Sequence, residues 1–432
     1  MNLRILLMGV LIASLFVTCA FGSDFVSVRD GEFSLNKKPY IFMGTNYWYG
    51  SLLGLEKDSK RGITRLRKEL DFLKSKGVTN LRILGGAEGK ALINNVYRVG
   101  PSLQPEQGKF NKNVLRGLDI VLDEMSKRDM KAVIFFSNNW EWSGGFQQYL
   151  IWNEMQSKEF LTKKPNWDEY RDNVSRFYGC DPCKKAYNKQ VEVIMSRRNS
   201  VNGRAYVDDP TIMTWELANE PRPMRPAANK QYKKWVADVA KLIKTKDMRH
   251  LVAIGHEGSM GTESIEIFEE IHDDKNVDYL TIHIWPRNWS WYQRPKIEEG
   301  FDTVLKKTEE YIEEHISVAK RLNKPMVIEE FGFARDGEKF DAVSSTRYRD
   351  RYFAKVFSYL PGGEKYKGAV AGVNFWAFGG SARPVKNQLF WKVGDEYMGD
   401  PPMEEQGLYS VFDRDKSTWK MIKGFSKSIG KR

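Results

Sequence analysis

Short apolar runs alternate with longer amphipathic ones along most of the chain, and this rhythm predicts an α/β fold, a parallel (β/α)8 TIM barrel. Three observations carry the expectation. Eight strand-like runs rich in β-branched and aromatic residues recur between segments of helical period. The runs are almost continuously apolar, as strands buried on both faces must be. No glycine-rich dinucleotide fingerprint follows the first run, which counts against an open doubly wound sheet.

The elements follow in order. FVSVRDGEFSLNKKPY turns at Asp30-Gly31 and reads as an N-terminal β-hairpin covering the barrel bottom. The strand candidates are IFMGTNYWY, NLRILGG, AVIFFSNNW, TIMTWELANEP, LVAIGHEG, YLTIHIWP, PMVIEEFG and GVNFWAFGG. Between them, stretches such as ITRLRKELDFLKSKG, VLRGLDIVLDEMSKRD, YKKWVADVAKLIKTKD and FDTVLKKTEEYIEEHISVAKRLN have helical period, several ending near Gly or Asn as helix C-termini do. No Pro-, Gly- or Ser-rich linker interrupts them, so residues 23–432 read as a single domain.

Residues 1–22 read as an export signal, with Arg4 at the start, an apolar stretch over 5–17 and the small-x-small site Ala20-Phe21-Gly22. That stretch is too short for a comfortable membrane span, and nothing later offers another. The expectation is a secreted protein without a transmembrane span; the alternative is a membrane-anchored lipoprotein through Cys19, to which FVTC is a poor match. Cys180 and Cys183, in FYGCDPCKKAY, suit a local disulfide or two idle thiols better than a redox or zinc site.

Composition narrows the class. With 41% hydrophobic and 13% aromatic residues the chain can bury a substantial core. The net charge of +12 is spread through helical segments with acidic residues interleaved, a solvated surface rather than the one-sided basic patch that nucleic acid requires. No nucleic-acid partner is expected, and the chain reads as a monomer. Metal readings fail on spacing: there is no H-E-x-x-H, and five histidines leave few ligands. G-x-S-x-G is absent, against a serine esterase, and no cofactor is implied. Thirteen tryptophans remain to be explained, and flat indoles suit the apolar faces of pyranose sugars.

Chemistry in such a barrel sits at the strand C-terminal ends. In order these carry Tyr47 and Trp48, Arg82, Asn138 to Trp140, Asn219 and Glu220, His256 and Glu257, His283 and Trp285, Glu329 and Glu330, then Trp376. The fourth and seventh strands face each other across the mouth, so Glu220 and Glu330 can flank one glycosidic bond. Glu220 is the expected acid/base, its pKa raised by a nearby negative charge and partial burial. Glu330 is the expected nucleophile, kept ionised by a cation such as Arg82, and Asn219 can bond the sugar 2-hydroxyl. Strand alternation sends Glu329 to the opposite side, in a structural role. Arg82 also has a plain reading as a buried ion-pair partner, and His256 with Glu257 divide evenly between loop structure and substrate contact. His283 is placed beside Trp285 at a strand end, and Trp376 where an indole would floor a sugar site.

These residues resemble glycoside hydrolase family 5, and finer motifs resemble its endo-β-1,4-mannanases: GTNYWYG, NNWEWSGG, WELANEPRP, HIWPRNW, EEFG and the late segment GDPPMEEQGLYSVFDRDKST. The likeness runs from about Phe25 to the final helix. It implies a retaining catalytic domain with Glu220 as acid/base and Glu330 as nucleophile, supported by Arg82, Asn219, His283 and Trp376, with Trp48 beside the donor-side sugars. It implies a β-mannan substrate, polysaccharide or oligosaccharide. Trp285 stands where many relatives have a tyrosine; it can donate only through its indole N–H, so it packs a sugar with Trp289, Trp291 and Tyr292 or orients Glu330 less directly. The choice of mannan over glucan rests on the resemblance. The alternatives are an endo-β-1,4-glucanase or mixed-specificity β-glycanase, and an exported carbohydrate-binding protein without turnover, against which the two carboxylates count.

Overall fold

The computed structural model describes residues 25–429 apart from 56–58, 91, 94–95, 162–164 and 295. Its centre is eight parallel strands: β1 (Phe42–Asn46), β2 (Asn80–Leu84), β3 (Lys131–Phe135), β4 (Ile212–Glu216), β5 (Leu251–Ala253), β6 (Leu280–Ile284), β7 (Met326–Phe331) and β8 (Val370–Phe375). They pair in the order β5-β4-β3-β2-β1-β8-β7-β6, a barrel closed everywhere except between β5 and β6. Asp278 bridges that seam: its N–H donates to Val252 O (2.9 Å) and its carboxylate accepts from the Val252 N–H (2.6 Å). Every strand residue is buried except Lys131 at the entry to β3, as strands covered on both faces require.

Eight helices complete the repeats: α1 (Ser59–Ser75), α2 (Lys112–Ser126), α3 (Asp181–Met195), α4 (Asn229–Lys246), α5 (Ile265–Asp273), α6 (Ile297–Leu322), α7 (Arg347–Phe357) and α8 (Lys416–Ile429). Their apolar stripes recur at helical spacing; on α4 these are Tyr232, Trp235, Val236, Val239, Ala240 and Ile243, all buried. Asn323 ends α6 in the left-handed conformation, φ 50°, the role its position at the end of the periodic stretch predicts.

Below the barrel the expected hairpin is extended to a three-stranded meander, Ser27–Arg29, Glu32–Leu35 and Lys38–Pro39. Phe33 packs edge-on against Tyr279 at 5.1 Å and joins Val26, Phe42, Met213, Leu251 and Val327 in an apolar plug at the strand entries. Cys180 and Cys183 are joined as a disulfide at the start of α3, both buried. The export segment 1–22 and Cys19 lie outside the described residues. Among the described residues no helix is long and apolar enough to cross a membrane.

Candidate active site

The site is built around one guanidinium. Arg82, at the centre of β2, is fully buried and uses all its N–H groups. Nε and Nη2 form a fork onto Glu216 at 2.9 and 2.6 Å; Nη2 also donates to Asn219 Oδ1 at 2.8 Å. Nη1 donates to Asn46 Oδ1 at 3.0 Å and to Glu330 Oε1. Phe135 lies beneath, its ring centroid 4.6 Å from the guanidinium carbon. The strand ends thus hold the cation from several directions, and the cation in turn fixes Glu330 from one side.

Local backbone geometry aims the two catalytic candidates. Glu220 lies just beyond β4 with φ 51°, a left-handed conformation that costs a non-glycine residue about 1–3 kcal/mol. Its N–H donates to Gly255 O at 2.8 Å, which ties it to the end of β5. On β7 the pairing with β6 jumps from Ile282–Ile328 to His283–Glu330, a bulge at Glu329. The bulge overturns the alternation argument: Glu329 does not turn away but faces the barrel interior, buried, 3.7 Å from Arg82 Nε and 3.7 Å from His283 Nε2.

His283 sits between the pair. Nδ1 lies 2.8 Å from Glu220 Oε1 and 3.4 Å from Glu330 Oε2, and burial with Arg82 nearby pushes the imidazole well below its usual pKa. The ring is therefore neutral, and Nδ1 and Glu220 Oε1 share a single hydrogen bond. Trp140 Nε1–H donates to the other Glu220 oxygen, and Trp285 lines the cleft beside both glutamates. Burial raises the Glu220 carboxyl, with the Arg222 charge and the Trp140 bond pulling it back; burial, more than a neighbouring anion, is the main cause. Burial also raises Glu330, against the pull of Arg82. Direct contact with a guanidinium makes Glu330 the first of the two to ionise, which leaves the proton on Glu220.

One oxygen each of Glu220 and Glu330 and one nitrogen of His283 lie within 4.8 Å of one another. An ion could bridge such a set, but Arg82 already neutralises Glu330 and His283 spends Nδ1 on Glu220, so the arrangement handles protons. The close approach of the carboxyls matches the ~5–5.5 Å of two-step, retaining glycosidases rather than the ~6.5–9.5 Å of inverting ones.

Above the pair opens a cleft of about 1190 Å³, lined by Trp140, Trp142, Trp167, Trp285, Trp289 and Trp376 among others. A cavity of about 1320 Å³ on the outer side, along 340–347 and 383–389, contains neither glutamate. Trp376 lines the cleft, its indole N–H without a partner among the described residues, and stands edge-on to Trp285 at 5.9 Å. Asn219 lines it too, one N–H spent on Asn138 Oδ1 at 3.1 Å. Trp48 stands apart: it is 1% exposed, donates Nε1–H to Gly399 O at 2.8 Å and packs on Tyr49 and Tyr397, so it supports the loop after β8 instead of lining the cleft. His256 is loop structure, accepting the Gly258 N–H at 2.9 Å, while Glu257 is gripped by Arg222 through two bonds of 2.6 and 2.7 Å. Glu216 also belongs to the site; its apolar neighbours in TIMTWELAN hide it as a strand residue, and only its pairing to Arg82 exposes the role.

A buried carboxyl pair, one member proton-bearing and the other facing a guanidinium, at the C-terminal mouth of a (β/α)8 barrel and under a tryptophan-rich cleft, defines a retaining glycoside hydrolase. The family described as GH family 5 beta-mannosidase-like matches over residues 23–432, and the chain belongs to it. It is 30% identical to mannan endo-1,4-beta-mannosidase 1 of Solanum lycopersicum over 359 residues, 80% of this chain and 83% of the relative. A crystal structure of a glycoside hydrolase family 5 mannosidase from Rhizomucor miehei superposes with a TM-score of 0.84 at 33% identity, covering 95% of this chain and 99% of that one. The endo-beta-1,4-mannanase of Thermotoga petrophila shares the fold, with a TM-score of 0.65 at 22% identity over 92% of this chain and 79% of that one.

Proposed function

We propose that the enzyme hydrolyses β-1,4-mannosidic bonds within mannan, glucomannan or galactomannan by double displacement. The observation that carries this reading is the Glu220–His283–Glu330 set held by Arg82 at the floor of the cleft. Glu220 gives its proton to the departing sugar oxygen while Glu330 attacks the anomeric carbon. As the Glu330 charge is consumed, Arg82 keeps its contacts to Glu216 and Asn219, so the floor does not reorganise. Glu220, now ionised, takes a proton from water, which attacks the glycosyl ester and releases the sugar with its configuration kept. The remaining Asn219 amide N–H serves the sugar 2-hydroxyl, and Trp376 with Trp285 supports the ring. The polymer is supplied by the tomato relative, whose name specifies mannan and internal cleavage.

The test is reducing-sugar release from linear mannan, glucomannan and soluble cellulose by the wild type and Glu330→Ala. Mannan and glucomannan are cleaved, cellulose is not, and the variant loses at least about 10⁴-fold in rate. Preferential cleavage of cellulose moves the enzyme to the glucanase alternative.

A second reading, release of single mannosyl residues from chain ends, is favoured by the higher structural similarity to the Rhizomucor miehei mannosidase. Product chromatography separates the two: internal cleavage gives mixed oligosaccharides early, end cleavage gives mannose alone. We also propose export, on the strength of the charged start, apolar stretch and cleavage site in residues 1–22.

A further inference from the structure

Four carboxyls crowd the floor of the cleft, but only three have an evident task. Glu220 and Glu330 do the chemistry, and Glu216 anchors Arg82 through the fork of bonds to Nε and Nη2. Glu329 has none of these. It is fully buried, and among the described residues no donor gives a hydrogen bond to either of its oxygens. Arg82 is nearest in charge, yet its Nε is spent on Glu216 and stays 3.7 Å from Glu329 Oε2. The bulge in β7 exists where this side chain enters the interior, so the fold departs from regular pairing in order to admit it.

We propose that Glu329 is held as an un-ionised acid, a positioning residue that donates its proton to Glu216 and, by carrying no charge, leaves the Arg82 cation to Glu216 and Glu330. A carboxylate at this point would be buried without a donor, the costliest state for such a group. A neutral carboxyl instead has an O–H to give, and the carboxylate beside it is Glu216, whose Oε2 lies 2.9 Å from the same Arg82 Nε that stands 3.7 Å from Glu329 Oε2. Charge accounting agrees. One guanidinium faces Glu216, Glu329 and Glu330; with Glu329 neutral the set is a single negative charge, with Glu329 ionised it is two, all out of water.

His283 supplies an independent constraint. Its ring is neutral, and Nε2 faces Glu329 Oε2 at 3.7 Å with no hydrogen-bond partner among the described residues. A neutral ring at that distance supplies neither a hydrogen bond nor a positive charge to offset an anion there. The groups that face Glu329 are Arg82 from β2, Glu216 from β4, Tyr279 just before β6, His283 from β6 and Glu330 from β7, while Asn46 of β1 donates to its backbone oxygen at 3.0 Å. Burial and Glu216 both push the Glu329 carboxyl upward, the direction that geometry requires. Glu329 thus acts through its neighbours: it braces Glu216, hence Arg82, hence the nucleophile.

The inference rests on the retaining reading of the site, and its test separates the two. Glu329→Gln keeps the shape and supplies N–H donors without a charge; Glu329→Leu removes the donor. An infrared difference spectrum of wild type minus Glu329→Gln at neutral pH should show the carbonyl stretch of an un-ionised carboxylic acid, a reading that needs no substrate. With an aryl β-mannoside or mannan, Glu329→Gln should keep the acid limb of kcat/KM in place and most of the activity. Glu329→Leu should lose about 10–100-fold in kcat, as a slightly displaced nucleophile would. Carboxylate bands in the difference spectrum would overturn the proposal. So would an acid limb that falls by about 1 pH unit or more in Glu329→Gln, because removing a real anion beside Glu330 makes the nucleophile easier to ionise. Absence of turnover on either substrate with the acid band present would sink the mannan reading and leave this one standing.

Discussion

At the residue scale, the division of labour between two chemically identical side chains comes from their donors. Glu330 receives a charged donor, Arg82; Glu220 receives the neutral N–H of Trp140 and pairs with the neutral ring of His283. A charge-assisted bond favours the ionised form more than neutral bonds do, so one glutamate is the base form and the other the acid. The Trp140 bond nonetheless stabilises the Glu220 carboxylate to a degree, and removing it should raise the acid/base pKa. Trp140→Phe is expected to move the alkaline limb of kcat/KM up by roughly half to one pH unit, the equivalent of one bond worth ~1 kcal/mol. A pH profile with that limb unmoved or lowered would contradict the assignment of Glu220.

At the element scale, strand ends are the unit that positions chemistry, and Gly255 shows how tightly they meet. It has φ 77°, and a Cβ there would lie 2.1 Å from Ala218 O and 2.1 Å from Glu216 Oε1. Gly255→Ala should therefore cost about 2 kcal/mol or more in denaturant unfolding and lower kcat by displacing Glu216; a variant with wild-type stability and activity would refute this packing. The same scale explains what the sequence disclosed. Eight strands, their order and the facing of Glu220 and Glu330 were legible because apolar period and barrel topology fix them. Glu329 was misplaced because a bulge breaks the two-residue alternation and leaves no mark in EEFG. Trp48 was placed beside the sugars by the family resemblance; in this chain the loop after β8 covers it, a long-range contact that no local pattern encodes.

At the scale of the whole molecule, the barrel keeps many ionisable groups out of water, so its stability depends on pH through several opposed contributions. Behind the cleft, burial pushes His272 down to about 3 and His315 to about 4, so both are neutral in the folded protein at pH 5. In the unfolded chain they protonate near pH 6.5, so between about 6.5 and 4 the unfolded state binds more protons and each histidine lowers stability as pH falls, by roughly 1 kcal/mol per pH unit. The buried glutamates, whose pKa values are raised, act in the opposite sense. The difference between proteins isolates one histidine: His272→Gln should gain stability relative to wild type as pH drops from 6.5 to 4, and melting curves at matched pH that run parallel would exclude the effect. The central claim, that Glu330 attacks and Glu220 serves as acid and then base, concerns the molecule as a catalyst, and its most direct test is the configuration of the sugar first released. Proton NMR during the first turnovers should show the β-anomer appearing before mutarotation. First appearance of the α-anomer would mean a single displacement by water and would contradict the account.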